Sequence, residues 1–331
     1  MKLVFATTNY RYLLDSMIMY QHKNPTPTGL AGADPRALRE ALVEVKTFPD
    51  GESYHRFIDS PVGKHVVIVG GTVSDTETLE LYDMACHCVK AGVRSLTLVI
   101  PYFGYSTMER AVQPGEIVKA KTRARLISSI PSTSRTRVLF MDLHSEGTPH
   151  YLEGAIQPVH LYAKQAIIKM CKMISHEGTE HYKDNKNFVL ASTDAGRAKW
   201  VESLANEMGV DCAVITKRRL SGTTTSIVGI NADVKGKKVV IYDDMIRTGG
   251  SLISAGQAYK DAGASKVYAV ATHGVLPDDS IYKLKASGVF EKVFVTNTHP
   301  QANALKGLAT LEGFYDAFDI SHILVKYLKR H

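Results

Sequence analysis

The chain has 331 residues, of which 44% are apolar and 22% charged, and a formal net charge of +7. That length suits about two domains of common size, and no apolar run approaches the ~20 residues of a membrane span. The basic residues are dispersed, and their densest groups (Lys217–Arg219, Lys235–Lys238 and Lys326–His331) lack interleaved aromatics, which argues against a nucleic-acid partner and leaves the positive excess to steer anionic substrates.

The opening run MKLVFATTNYRYLL starts as a short strand and carries no small-residue cleavage site, so no signal peptide is expected. Strands are predicted at Lys2–Ala6, His65–Val69, Ser95–Ile100, Arg137–Met141, Phe188–Ser192, Asp211–Ile215, Lys238–Tyr242, Lys266–Thr272 and Lys292–Thr296. Amphipathic helical segments lie between them at 76–91, 119–130, 159–174, 196–208, 251–262 and 279–286. Such alternation predicts an α/β fold with mainly parallel sheets. Residues 21–37 and 175–187 are polar and read as loops. Two successive α/β units follow, with a boundary near 155–160. The last apolar stretch, Ala317–Tyr327, places Ile320, Ile323, Leu324 and Tyr327 at helical spacing, and it is expected to dock on the first unit. Cys86-His87-Cys88 is not the C-x-x-C of a structural zinc site, and no second pair faces it. The cysteines therefore read as core or half-exposed thiols of a cytoplasmic protein.

Several strand ends carry chemistry. Thr47–Glu52 is an aromatic and acidic turn, a type that is common on solvated surfaces. Pro101–Tyr105 sets an aromatic cluster at a carboxyl edge, where it serves either base stacking or packing. Asp142 and His144 follow one strand and Asp194 another; a His and an Asp so placed can share a hydrated Mg²⁺ that also binds phosphates. The basic triplet Lys217-Arg218-Arg219, followed by the Ser/Gly/Thr-rich stretch Ser221–Ser226, fits a solvated face or a mobile loop that brings charge over a transferring phosphoryl group.

Residues 239–251, VVIYDDMIRTGGS, are the most informative. A buried strand ends in Asp243 and Asp244, which suit vicinal ribose hydroxyls. Arg247, Thr248, Gly249, Gly250 and Ser251 then lead into a helix. Glycines let backbone N–H groups close on phosphate oxygens, and the helix N-terminus adds positive potential.

The ordered set FPDGE (48–52), PYFGY (101–105), MDLH (141–144), STDAG (192–196), KRR (217–219), DDMIRTGGS (243–251), ATHGV (271–275), VTNT (295–298) and DIS (319–321) resembles the ribose-phosphate diphosphokinase family across nearly the whole chain. The resemblance implies two tandem phosphoribosyltransferase-type domains. These would span 1–157, with 312–331 packing back on it, and 158–311. It also implies an enzyme that moves the β,γ-diphosphoryl group of Mg·ATP to the anomeric hydroxyl of ribose 5-phosphate. By position it assigns Phe48, Asp50, Glu52, Arg110 and His144 to ATP, and His144 and Asp194 to Mg²⁺. Lys217, Arg219 and His144 fall to catalysis, and Asp243, Asp244 and Arg247–Ser251 to the ribose phosphate. Dimer-based hexamers or tetramers are expected.

Two departures stand out. After PYFGY the family's Arg-Gln pair is replaced by Ser106-Thr107-Met108-Glu109-Arg110, a pattern similar to the plant-type class. Arg247 stands where an acidic or small polar residue is usual, and its guanidinium suits a second phosphate. A larger acceptor such as ADP-ribose is therefore a second reading. A regulatory subunit that keeps the fold without turnover is a third, and the retained acids and catalytic-loop cations speak against it.

Overall fold

In the computed structural model the described residues are 1–25, 34, 36–131, 135–175, 187–221 and 224–331, and between 217 and 228 only the backbone is described. The expected loop at 175–187 falls almost wholly outside them, as does the middle of 21–37. The chain divides into two compact units, Met1–Tyr162 with Asp319–His331, and Ala163–Phe318. Among the described residues no helix is long and apolar enough to cross a membrane.

The first unit runs β1 (Lys2–Ala6), α1 (Arg11–Lys23), β2 (Leu38–Glu40), β3 (Val43–Thr47), β4 (Ser53–Phe57), β5 (His65–Val69), α2 (Asp75–Lys90), β6 (Ser95–Ile100), α3 (Lys119–Ser128), β7 (Thr136–Met141) and β8 (Gln157–Leu161). The second runs α4 (Lys164–Ser175), β9 (Phe188–Ser192), α5 (Ala198–Met208), β10 (Asp211–Ser221), β11 (Thr224–Ile230), β12 (Lys238–Ile246), α6 (Gly250–Asp261), β13 (Lys266–Gly274), α7 (Ser280–Ala286), β14 (Lys292–Thr296), α8 (Pro300–Leu305) and β15 (Tyr315–Phe318). The chain then returns to the first unit as α9 (Ser321–Arg330).

The first sheet has the order β2-β1-β5-β6-β7-β8 and is parallel throughout. Its central strands are short runs of Val, Ile and Leu, the pattern of strands covered on both faces. On one face Phe5, Ile68, Leu98 and Phe140 meet Leu81, Met84 and Ala85 of α2. Ser74 starts that helix by accepting the Glu77 N–H at 3.2 Å. α1 and α9 pack against each other, with the Tyr20 and His322 rings 6.2 Å apart.

The second sheet has the order β11-β10-β9-β12-β13-β14-β15, parallel except for the β10–β11 ribbon. Alternation along β12 sends Val239 and Ile241 to a core with Leu252, Ala255 and Tyr259 of α6. Val240 and Tyr242 go to the opposite core, with Ile167 and Cys171 of α4 and Val201 and Leu204 of α5. Burial pushes the Cys88 and Cys171 thiols up to about 12, which makes them poor nucleophiles.

The architecture is the expected α/β fold with mainly parallel sheets, and several elements correct the sequence reading. The helix expected at 159–174 begins only at Lys164, because Gln157–Leu161 is an edge strand that tolerates Pro158. Ala317 and Phe318 close the edge strand β15 rather than opening the last helix. The strand expected to stop at Ile215 continues through Lys217–Arg219 as half of an antiparallel ribbon. The strand expected to stop at Tyr242 continues to Ile246, so Asp243 and Asp244 lie within it.

Candidate functional site

Ligands of doubly wound sheets sit beyond the carboxyl ends of the strands, where neighbouring connections run in opposite directions. In the second unit that point lies between β9, which leads to β10, and β12, which leads to β13. β9 ends at Ser192 opposite Tyr242, whereas β12 runs on to Ile246 paired with β13. Asp243–Ile246 therefore border the crevice along a side that β9 no longer covers.

Asp243 accepts the Thr193 hydroxyl at 3.3 Å and the Asp244 N–H at 2.9 Å. Asp244 is 4% exposed and pairs with Arg197 at 2.5 Å. Burial first, and then the neighbouring Asp244 charge, push Asp243 up to about 8. Burial and the Asp244 charge favour a proton held between the two acids, with Asp244 also facing Arg197. One acid can thus donate and the other accept, which suits two adjacent sugar hydroxyls.

This arrangement has a cost that depends on pH. A buried acid with a raised folded pKa binds a proton that the unfolded chain has already lost, so stability falls as pH rises from about 4 to about 8. Asp243→Asn removes the charge and keeps an oxygen acceptor. It should match the parent near pH 4–5 and be more stable by about 1–3 kcal/mol above pH 8. Urea midpoints at the two pH values measure this, and an Asn variant less stable at high pH would contradict the assignment.

The loop after β12 holds Arg247 and Thr248 exposed and Gly249 buried. Gly249 has φ +80°, and a Cβ there would lie 2.8 Å from Leu284, so both conformation and space require glycine. The first helical bond of α6 runs from Ile253 N–H to Gly249 at 2.8 Å. The amides before Ile253 are left for a ligand, next to the exposed Ser251. On the other side of the crevice Asp194 accepts the Gly196 N–H at 2.8 Å. That turn, Ala195–Arg197, also delivers Arg197 to Asp244. Asp194, Asp243, Asp244 and the 247–251 loop thus belong to one crevice.

Among the described residues no three His, Cys, Asp or Glu side chains gather as a metal cage. Mg²⁺ commonly takes one or two carboxylates and completes its shell with phosphates and water. The half-buried Asp194, with one oxygen committed to its turn, fits such a donor set.

Behind the crevice, ATHGV and VTNT form a buried network. Thr296 and Thr298 donate to the Thr272 carbonyl at 2.6 and 3.1 Å, and His273 Nδ1 meets the Thr298 hydroxyl at 2.8 Å. Burial, then His273, pushes His299 down to about 4, and its neutral ring accepts the Gln301 N–H at 3.1 Å. These motifs hold the ends of β13 and β14 in place.

In the first unit, Gly104 N–H donates to Thr72 Oγ1 at 2.7 Å, and a Cβ at Gly104 would sit 1.9 Å from the Thr72 carbonyl oxygen. The close approach fixes the loop after β6. Tyr105 follows at φ 60°, and Asp75 accepts both its hydroxyl and Arg123, each at 2.6 Å. Lys119 and Arg123 lie over the Tyr105 ring. Arg110 is largely exposed, 3.6 Å from Glu109. Beyond β7, Asp142 has φ 37° and His144 is half-buried. His160 Nε2 accepts the Leu143 N–H at 3.0 Å, and burial lowers its pKa, so its ring stays neutral.

Phe48, Asp50 and Glu52 share the tip of the β3–β4 hairpin. Phe48 is 47% exposed and meets Tyr54 edge-on at 5.9 Å. Asp50 accepts the Glu52 N–H at 3.0 Å. The hairpin thus gathers three of the expected nucleotide residues, whereas Arg110 and His144 occupy two separate edge loops. Lys217 and Arg219 lie on β10, and their side chains fall outside the described residues. Arg197, Asp75 and Arg123 were not singled out from sequence, although Arg197 directly follows STDAG.

Comparison with known proteins bears on both units. Residues 35–130 match the N-terminal domain of ribose phosphate pyrophosphokinase, and residues 219–331 match the phosphoribosyl synthetase-associated domain. The phosphoribosylpyrophosphate synthetase structure from Mycobacterium smegmatis shares the fold, with a TM-score of 0.79 at 23% identity over 99% of this chain and 97% of that one. A chloroplastic ribose-phosphate pyrophosphokinase 2 of Oryza sativa is 34% identical over 77% of this chain and 61% of its own. The Synechococcus elongatus ribose-phosphate pyrophosphokinase is 34% identical over 77% of this chain and 74% of its own. With 32% identity to the Chlorobaculum tepidum ribose-phosphate pyrophosphokinase over 77% of this chain and 75% of that protein, the chain belongs to the ribose-phosphate pyrophosphokinase family.

Proposed function

We propose that the chain transfers the β,γ-diphosphoryl group of Mg·ATP to the anomeric hydroxyl of ribose 5-phosphate, giving 5-phosphoribosyl 1-diphosphate and AMP. The observation that carries this is the crevice between β9 and β12. It sets a buried acid pair, Asp244 facing Arg197 and Asp243 facing Thr193, beside a glycine loop at a helix N-terminus. The loop amides, Thr248 and Ser251 hold the sugar phosphate, and Asp243 and Asp244 hold its hydroxyls. Asp194 and His144 would supply protein ligands to Mg²⁺, which neutralises charge on the transferring group when bound. Phe48, Asp50, Glu52 and Arg110 are assigned to the nucleotide. Lys217 and Arg219 supply charge to the phosphoryl transition state. Assembly into a dimer-based homo-oligomer belongs to the same proposal.

The exposure of Arg247 on the phosphate loop favours a second reading, an acceptor bearing a further phosphate such as ADP-ribose. AMP release and product mass, measured with Mg·ATP and each acceptor, separate the two. The first reading expects kcat/KM for ribose 5-phosphate to exceed that for ADP-ribose by about 10²-fold or more. The second expects the two within about tenfold, with the ADP-ribose value falling about tenfold in Arg247→Asp. AMP formed with neither acceptor would remove both.

A further inference from the structure

The amino ends of the first sheet, opposite the loops that carry Pro101–Tyr105 and His144, enclose a cavity of 670 Å³. Six cationic side chains line it: Lys2, Arg36, Arg135, Arg137, Lys329 and Arg330. Among the described residues no acidic side chain does. Asp34 lies 3.8 Å from Lys329 at the cavity rim. Arg137 also donates to a terminal oxygen of His331 at 3.5 Å, an anionic partner for this cation, and Lys2 donates to the Leu328 carbonyl.

The strand register shows how the sequence builds this basin. Lys2 stands beside His65 and His65 beside Ser95, while Thr97 stands beside Arg137 and Arg137 beside Gln157. Residues two apart on a strand share a face, so these six polar residues form a patch on one face of the sheet. Two positions further along the same face the strands carry Val4, Val67, Val99 and Leu139, each 1% exposed or less. A face that is apolar over the rest of its length turns polar and cationic here. Like charges gathered in one place repel one another. Burial, then the Arg137 charge, lowers the Lys2 pKa. Burial, then Arg94 and Lys2, lowers that of His65. A multivalent anion would relieve this repulsion.

We propose that this basin binds a compact polyanion with two or more phosphate groups, either an inorganic polyphosphate or the polyphosphate tail of a nucleotide. The cavity is of small-ligand size, and its cations match several phosphate charges, with arginines able to grip oxygens in pairs. Among the described residues no Phe, Tyr or Trp lines it, so phosphate contacts and not base stacking carry the affinity. β1 spans 5 residues, which puts the basin roughly 17 Å of strand away from the carboxyl edge. It is therefore distinct from the crevices at that edge, and the inference stands whether or not the proposed transfer reaction is correct.

The test localises binding, because the carboxyl-edge loops also suit phosphates. Hydrogen–deuterium exchange is followed with inorganic triphosphate, ATP without acceptor, and AMP. Triphosphate and ATP are expected to protect amides of residues 2–5, 65–68 and 135–138 at similar concentrations, and AMP only at about tenfold higher ones. In Arg137→Gln/Arg330→Gln the half-saturating triphosphate concentration should rise about tenfold or more, and Arg137→Lys/Arg330→Lys should restore most of it. Protection confined to 101–105 and 247–251, or unchanged in the Gln pair, would overturn the proposal. So would a Gln pair that alters the assembly mass while triphosphate protects nothing at the basin, which marks a contact between copies. Should the Gln pair fail to fold, the wild type decides: protection must fade from about 50 to about 500 mM KCl, and persistence would count against it.

Discussion

Arg197→Ala is expected to destabilise the protein by about 3–5 kcal/mol at pH 8, among the largest single-residue losses the fold can show. Asp244 is 4% exposed, and Arg197 is the cation that meets it, at 2.5 Å. Asp243 lies beside it and already holds its own proton up to about 8, through burial and the Asp244 charge. Without the guanidinium, the buried acid pair loses the cation that meets it, and any charge it carries is left without that partner. Protonation is then the only relief, so the folded pKa of the pair rises further. A raised carboxylate pKa costs stability as pH climbs, and the cost shrinks in acid. The loss at pH 5 should therefore be smaller than at pH 8 by about 1 kcal/mol or more. Urea unfolding at both pH values measures it. A loss below about 1 kcal/mol at both would show that Arg197 does not hold the acid pair. Arg197→Lys keeps the charge without the two-pronged donor and should recover part of the stability at pH 8.

The acid pair also shows what the sequence could and could not reveal. The limits of Lys2–Ala6, His65–Val69, Ser95–Ile100, Phe188–Ser192 and Lys292–Thr296 were legible because each is a short run rich in branched apolar residues buried between two layers. Tyr242 marked a false strand end, because two aspartates disfavour a strand by propensity; pairing with β13 overrides that preference as far as Ile246. Edge strands were the weak point. β2 has 3 residues, β8 carries Pro158, and β15 blends into the apolar stretch before α9. The phosphate loop was readable because glycines, hydroxyls and acids are contiguous there. Arg197 was not, since its partner lies 47 positions away, a distance given by the numbering alone. The basin at the amino edge was equally silent. It takes one or two polar residues from the amino half of each of five strands, and the register brings them together.

Lys217→Ala should lower turnover by ~10²–10⁴ while changing the KM for either substrate by no more than about threefold. Diphosphoryl transfer passes through a loose transition state, in which charge accumulates on the transferring oxygens and on the oxygen bridging to the departing AMP. A cation that meets this charge only at that moment raises kcat without tightening ground-state binding. The backbone of β10 sets Lys217 opposite Ile227, Arg218 opposite Ser226 and Arg219 opposite Thr225, a regular stretch of antiparallel ribbon. Strand periodicity assigns Lys217 and Arg219 to one side of that ribbon and Arg218 to the other. The expectation therefore extends to a pattern. Arg219→Ala should fall with Lys217→Ala, and Arg218→Ala should stay within about threefold of the parent. The ribbon lies at the edge of its sheet, beyond β9, and thermal unfolding of the three variants, measured alongside turnover, separates a loss of chemistry from a loss of fold. Steady-state AMP release, with both substrates varied, measures the series. Near-normal turnover of Lys217→Ala would sink the assignment of this ribbon to catalysis, and an equal loss in all three variants would reduce its role to a diffuse positive field.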